Sequence, residues 1–178
     1  MIIFDTETTS LTAPEAAPIE QQPWIMEFAA IKVNARSLKE IARLQFLCKP
    51  PVPIPLESIK ITGITNEMVA NKPPFAAFFP RLQDFFVGER YIVAHNLSFD
   101  VTALRHEISR LGKVTAFPWP PRQICTVEKT LYMKGYRSSL GALHEELFGN
   151  PHEDAHRAMV DVEALHRCVI ELRKRRII

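Results

Sequence analysis

The sequence predicts an α/β fold, a sheet flanked by helices, on three observations. Apolar runs at residues 1–4, 25–33 and 41–47 read as strands, and the turn at 34–38 joins the later two. With the first run they make an antiparallel meander. Two further strand-like stretches, at 91–94 and around Ile124, alternate with segments of helical periodicity.

The first strand opens with Met1-Ile2-Ile3-Phe4, apolar throughout and therefore buried. Asp5 and Glu7 follow two apart, so both project from one face at its end. Side-by-side carboxylates raise each other's pKa unless a cation lies between them. The pair is a candidate seat for a hard cation, magnesium or manganese, with a polar turn after the strand as the plainer reading. Residues 11–24 form an insertion containing Pro, Ala and Gln directly after that pair, either a lip or partner contact beside the site or a disordered surface loop.

Pro50, Pro51, Pro53 and Pro55 are too dense for a helix or central strand and mark an extended connection. Phe75, Phe78, Phe79, Leu82, Phe85 and Phe86 form a helical stripe, which favours core packing over base stacking. After the run at 91–94, Leu97, Val101, Leu104, Ile108 and Leu111 recur at helical spacing. Asn96 is placed to cap that helix, which puts Asp100 in its first turn, where the helix dipole also favours a carboxylate. Trp119 lies among three prolines at 116–122, as a rigid wall or a packed loop. In the last helix Val162, Leu165, Val169 and Leu172 mark the buried side, with Asp161 at its edge. His156 is five residues earlier, roughly 140° around a regular helix. The two share a site only if His156 lies on the preceding loop or an irregular first turn, and Gly149-Asn150-Pro151 supplies turn chemistry upstream.

In this order, D-x-E at Asp5 and Glu7, H-N-x-x-F-D ending at Asp100, and H-x-A-x-x-D from His156 to Asp161 resemble the DEDDh, or DnaQ-like, 3′–5′ exonucleases. The proofreading subunit of the bacterial replicative DNA polymerase belongs to that family. The likeness covers nearly the whole chain. ITGITNEMV with Pro73, Pro74 and Phe75 resembles the family's lead into a helix, Ile124-Cys125-Thr126 a strand end, and Ser138-Ser139-Leu140 a helix start.

The resemblance implies one RNase H-like exonuclease domain over residues 1–178. Its mixed five-stranded sheet would hold the antiparallel meander plus two parallel strands. It implies two divalent cations, Mg2+ or Mn2+, with Asp5 bridging them. Glu7 and Asp161 would complete the first site, and Asp100 would hold the second ion directly or through water. His156 would take the proton of the attacking water. An unperturbed imidazole titrates near pH 6.5, so activity is expected to rise from acidic to mildly alkaline pH. For the 3′-terminal nucleotide the resemblance implicates Thr8, Thr9, Ile61, Thr62, Ile64, His95, Asn96 and Phe99. Many members carry His before the Gly-Ile pair where this chain has Thr62 before Gly63. For Ile61 and Ile64 ordinary packing at a strand edge is the alternative. The expected substrate is the 3′ end of single-stranded DNA, with RNA as runner-up and a polymerase subunit as a partner. A non-catalytic nucleic-acid-binding or polymerase-docking module is the reading from another class. Such a module would be expected to lose a metal-site residue, and this chain lacks none.

Composition agrees. The chain has 178 residues, enough for one substantial core, with 47% apolar and 24% charged residues, ordinary for a globular protein. A net charge of +2 excludes a strongly basic binder of long duplexes. The run at 173–176 suits either phosphates or the dipole of a helix end. No apolar stretch reaches the length of a membrane span, and the opening strand leaves no room for a removable signal. Cys48, Cys125 and Cys168 show no C-x-x-C spacing and cannot all pair, which points to a reducing, cytoplasmic setting without zinc.

Overall fold

The computed structural model describes residues 1–114, 117–150, 152 and 156–178, with the side chain of Lys134 left out. Its centre is a sheet ordered β3-β2-β1-β4-β5, where β1 is Ile2–Thr8, β2 Ile25–Val33, β3 Glu40–Leu47, β4 Tyr91–Ala94 and β5 Arg122–Cys125. The first three strands pair antiparallel, while β4 runs parallel to β1 and β5 parallel to β4. This is the mixed five-stranded sheet expected for the RNase H-like exonuclease fold. β1 outlasts its apolar run and continues through Asp5 and Glu7, paired with β2 along its length. Its pairing with β4 covers only Ile2 and Ile3. The half of β1 that bears the carboxylates therefore runs past the end of β4 and opens a crevice at the carboxyl ends of two parallel strands, where open α/β sheets hold their ligands.

Seven helices cover the sheet among the described residues: α1 Leu56–Thr62, α2 Asn66–Val69, α3 Phe79–Phe86, α4 Leu97–Arg110, α5 Thr126–Lys134, α6 Leu140–Phe148 and α7 Ala158–Lys174. Side chains alternate across each strand. Ile2, Phe4, Phe28 and Phe46 therefore pack beneath α3 and α4, while Ile3, Ala29, Ile31 and Val33 pack against Val162, Leu165 and Val169 of α7.

The aromatic stripe is not one helix. Phe75–Phe78 make a 3-10 turn and α3 begins afresh at Phe79, because Pro80 lacks an N–H and is tolerated only at a helix start. Its rings are core: Phe86 lies 6.2 Å from Phe4, 5.0 Å from Phe117 and 6.4 Å from Trp119, centroid to centroid, and Phe46 stacks on Phe78 at 4.3 Å. Trp119 is thus a packed residue; Ala116 and Pro151, also named above, lie outside the described residues.

The insertion at 11–24 is tied down rather than being a disordered loop. Arg110, at the end of α4, donates to the carbonyls of Ile19 (2.7 Å), Gln22 (2.8 Å) and Pro23 (3.1 Å) and lays its guanidinium 3.6 Å from the centre of the Trp24 ring. A planar fork of donors that also stacks on an aromatic face suits arginine and not lysine. Gln22 closes the loop from inside, accepting from the Ala13 N–H and donating to the Pro14 carbonyl.

Candidate active site

Alternation along β1 divides the site between two faces of the sheet. Asp5 and Glu7 share the face of Ile3, which packs against α7, and Thr6 shares the face of Phe4, which packs against α4. Asp161, in the first turn of α7, meets the first pair: one oxygen from each of Asp5, Glu7 and Asp161 can be chosen so that all lie within 4.8 Å of one another. This acidic triad can hold a divalent cation, since three oxygen donors suit a hard ion.

Asp100 comes from the first turn of α4, as expected, and is buried. Its Oδ1 accepts two hydrogen bonds from Thr6, one from the backbone N–H and one from the hydroxyl, both at 2.9 Å. Thr6 thus fixes the Asp100 carboxylate beside the triad from the opposite face.

The start of α7 has the irregular turn that the spacing of His156 and Asp161 required. His156 adopts a left-handed conformation (φ 70°), Arg157 is extended, and the helix begins at Ala158. The His156 N–H donates to Asp161 Oδ2 at 2.9 Å, and its side chain is left exposed. A left-handed non-glycine residue is uncommon, and such strain concentrates at functional sites.

Glu27 of β2 lies directly across from Glu7 and is completely buried. It accepts from Gln45 Nε2 (2.9 Å), from Arg157 Nε and Nη2 (both 3.2 Å) and from the Ala158 N–H (3.1 Å). With both oxygens so engaged it is an anchor for the start of α7. A second histidine, His152, reaches Asp161 Oδ1 with its Nε2 at 3.3 Å.

These carboxyls hold their protons unusually well. Burial pushes Asp5 well above the ordinary carboxylate range, helped by the charges of Asp100, Glu7 and Asp161. Burial and then Asp161 and Glu27 raise Glu7 to about 8, with Arg157 opposing. Burial takes Asp100 to about 7 against the two Thr6 donors, and raises Asp161 against His152. Four crowded acids of this kind are the electrostatic signature of a cation site.

The acids floor an open cleft of about 570 Å³, whose walls include Leu11, His95, Asn96, Phe99, Arg137, His152 and His156. Phe99 is half-buried in that wall. The Thr8 hydroxyl donates to the Ser10 carbonyl, and Thr9 exchanges hydrogen bonds with the Trp24 backbone and takes another from Ser58. Thr8 and Thr9 therefore brace the insertion. Ile61 and Thr62 lie on α1, not at a strand edge: Ile61 is 59% exposed, Thr62 bonds the Ser58 carbonyl and the Ile64 N–H, and Ile64 is core. His95 is a strut, with Nδ1 on the Thr126 hydroxyl and Nε2 on the Ser138 carbonyl, each 2.9 Å. Asn96 stands at the N-cap of α4, but in left-handed conformation and without a capping bond.

Glu27, Arg157, His152, Thr6 and Arg137 were not singled out from sequence. Glu27 alone left a signal, as the single acid inside the apolar run at 25–33. A charge there is buried and needs partners.

A family model described as exonuclease matches residues 2–168. The DNA polymerase III subunit epsilon of Pasteurella multocida (strain Pm70) is 31% identical over 170 residues, covering 92% of this chain and 64% of that subunit. The chain therefore spans less than two thirds of that relative's length. Among solved structures, Exonuclease X in complex with 5′ overhanging duplex DNA matches with a TM-score of 0.67 and 26% identity, over 97% of this chain and 91% of that one. The nuclease domain of 3′hExo, a DEDDh family member bound to rAMP, shares the fold with a TM-score of 0.77 at 19% identity, covering 98% and 91%.

Proposed function

Because this chain belongs to the DEDDh, DnaQ-like exonuclease family, we propose that it is a divalent-cation-dependent 3′–5′ exonuclease of single-stranded DNA, releasing nucleoside 5′-monophosphates. The observation that carries the reading is the triad of Asp5, Glu7 and Asp161 at the floor of an open cleft, with Asp100 fixed beside it. Asp5, Glu7 and Asp161 are the residues to hold one cation and Asp5 with Asp100 a second, Mg2+ or Mn2+. Cations bound there supply positive charge to the attacking and leaving oxygens of an in-line displacement. His156, exposed at the cleft, accepts the proton of the attacking water. The new bond joins water oxygen to phosphorus as the bond to the 3′ oxygen of the shortened strand breaks. The Asp161 carboxylate, bonded to the His156 N–H, keeps that residue at the cleft.

DNA is preferred because the Pasteurella relative is a DNA polymerase subunit and Exonuclease X was solved with DNA. The same relative supports a place beside a polymerase, in proofreading. No described helix is long and apolar enough to cross a membrane, and the three cysteines are free thiols, which suits a reducing cytoplasm.

End-labelled single-stranded DNA and RNA of one sequence, digested with Mg2+ or Mn2+, test the reading. Stepwise shortening from the 3′ end, lost with chelator and in Asp161→Ala, is expected, faster on DNA. Faster loss of RNA would reassign the substrate; binding without cleavage of either polymer would make the chain a docking module.

A further inference from the structure

Arg137 is the one arginine or lysine among the described residues that line the cleft. It shares that cleft with four carboxylates, and its placement is built. Its neighbour Ser138 is tied through the carbonyl to His95 at the end of β4. Its own Nη2 donates to Asn96 Oδ1 at 2.9 Å. An N-cap asparagine ordinarily lies in the extended region and accepts from the first turn of its helix. Asn96 instead is left-handed (φ 66°, ψ 49°), makes no such bond, and turns its side-chain oxygen to Arg137. Asparagine is one of the few non-glycine side chains that enter this region readily, and here its oxygen serves Arg137 in place of the helix start.

The ion pair that Arg137 does make is with Glu128, through Nη1, and that carboxylate does not line the cleft. Both side chains are about half exposed, at 53% and 54%, so the pair is weak and exchangeable. Among the described residues two of the five N–H donors of the guanidinium find partners, which leaves donors for a ligand. A planar fork of donors matches the oxygens of a phosphate. The scissile phosphate belongs at the acids on the cleft floor, so a cation in the cleft wall serves another phosphate of the same strand.

We propose that Arg137, oriented by Asn96, is a subsite for the phosphodiester immediately 5′ of the scissile one, making the cleft selective for polynucleotides over single phosphodiesters. This rests on the exonuclease reading above. Glu128 is released as the strand enters, and Arg137 registers the strand with its terminal linkage over the triad.

The test compares two substrates in Mn2+: a single-stranded octanucleotide, and the p-nitrophenyl ester of thymidine 5′-monophosphate, which carries one phosphodiester and no upstream phosphate. The readout is the ratio of kcat/KM for the octanucleotide to that for the ester, measured for wild type, Arg137→Ala, Arg137→Lys and Asn96→Ala. A charge-assisted phosphate contact corresponds to about a tenfold to hundredfold fall in that ratio for Arg137→Ala, carried mainly by KM. Arg137→Lys recovers part of it, and Asn96→Ala shows a smaller fall in the same direction. An unchanged ratio overturns the subsite, whether both activities persist or fall together. A wild type inert on both substrates overturns the exonuclease reading and the subsite with it, which distinguishes the two failures.

Discussion

Arg157 grips Glu27 through two nitrogens, Nε to Oε2 and Nη2 to Oε1, each at 3.2 Å, and the carboxylate between them is wholly buried. The same carboxylate takes the Ala158 N–H, so the ion pair and the first turn of α7 are one unit. Glu27→Gln replaces an acceptor with an NH2 group facing donors. A loss of about 1–3 kcal/mol of stability is expected, measured by urea unfolding. Because α7 carries Asp161, kcat should also fall, by about tenfold, while a Gln45→Leu control, which removes only one neutral donor, should change kcat less. Equal kcat in Glu27→Gln and wild type would detach the anchor from the site.

Removing divalent cations should make the protein sensitive to alkaline pH. Glu7 titrates at about 8 and Asp100 at about 7 in the fold, both above their unfolded values. The folded state then binds more protons than the unfolded one across that interval, so stability is full below the unfolded values and declines as pH rises through 7 and 8. Melting in EDTA should occur at lower temperature at pH 8.5 than at pH 5.5. Saturating Mn2+ should raise the Tm more at the higher pH, where the carboxylates are free to bind it. A Tm that climbs with pH in EDTA would contradict the electrostatics described.

The crowding has a second consequence. Asp5→Asn should abolish turnover and yet stabilise the metal-free protein at pH 8, because it removes a carboxyl whose ionisation is opposed first by burial and then by Asp100, Glu7 and Asp161. Differential scanning fluorimetry in EDTA reads this directly, with a Tm below that of wild type as the contrary result.

Two histidines flank Asp161, and their variants should separate. His156→Ala removes the proposed base and should lower kcat about 10²–10⁴-fold. His152→Ala removes a neighbour of Asp161 Oδ1 and should cost much less. The reverse order, in single-turnover rates on single-stranded DNA, would transfer the base to His152.

Much of this arrangement was legible in the chain. Apolar runs gave four strands and the stretch around Ile124 the fifth, and the five residues of the candidate site could be placed because each motif is short and adjoins the element that carries it. The angular argument about His156 and Asp161 correctly demanded a break before α7. What escaped depends on contacts distant in sequence. Arg137 is brought to the cleft from the loop between α5 and α6, and Glu27 meets Arg157 across 130 residues. Asn96 was placed at the right helix start, but the partner that draws its side chain away lies 41 residues on. Pro80 was visible in the aromatic stripe, yet periodicity alone does not show where a helix restarts.

Because alternate residues of β1 face opposite sides, a slip of one position against β2 would put Thr6 and Thr8 where Asp5 and Glu7 belong. A chain with its strands misaligned by a single residue would keep its secondary structure and have no cation seat. Circular dichroism would pass such a molecule as native, whereas cation-induced stabilisation would not. Titration with Mn2+ is thus a quality-control measure of strand registration, able to count correctly assembled molecules in a preparation before any nucleic acid is added.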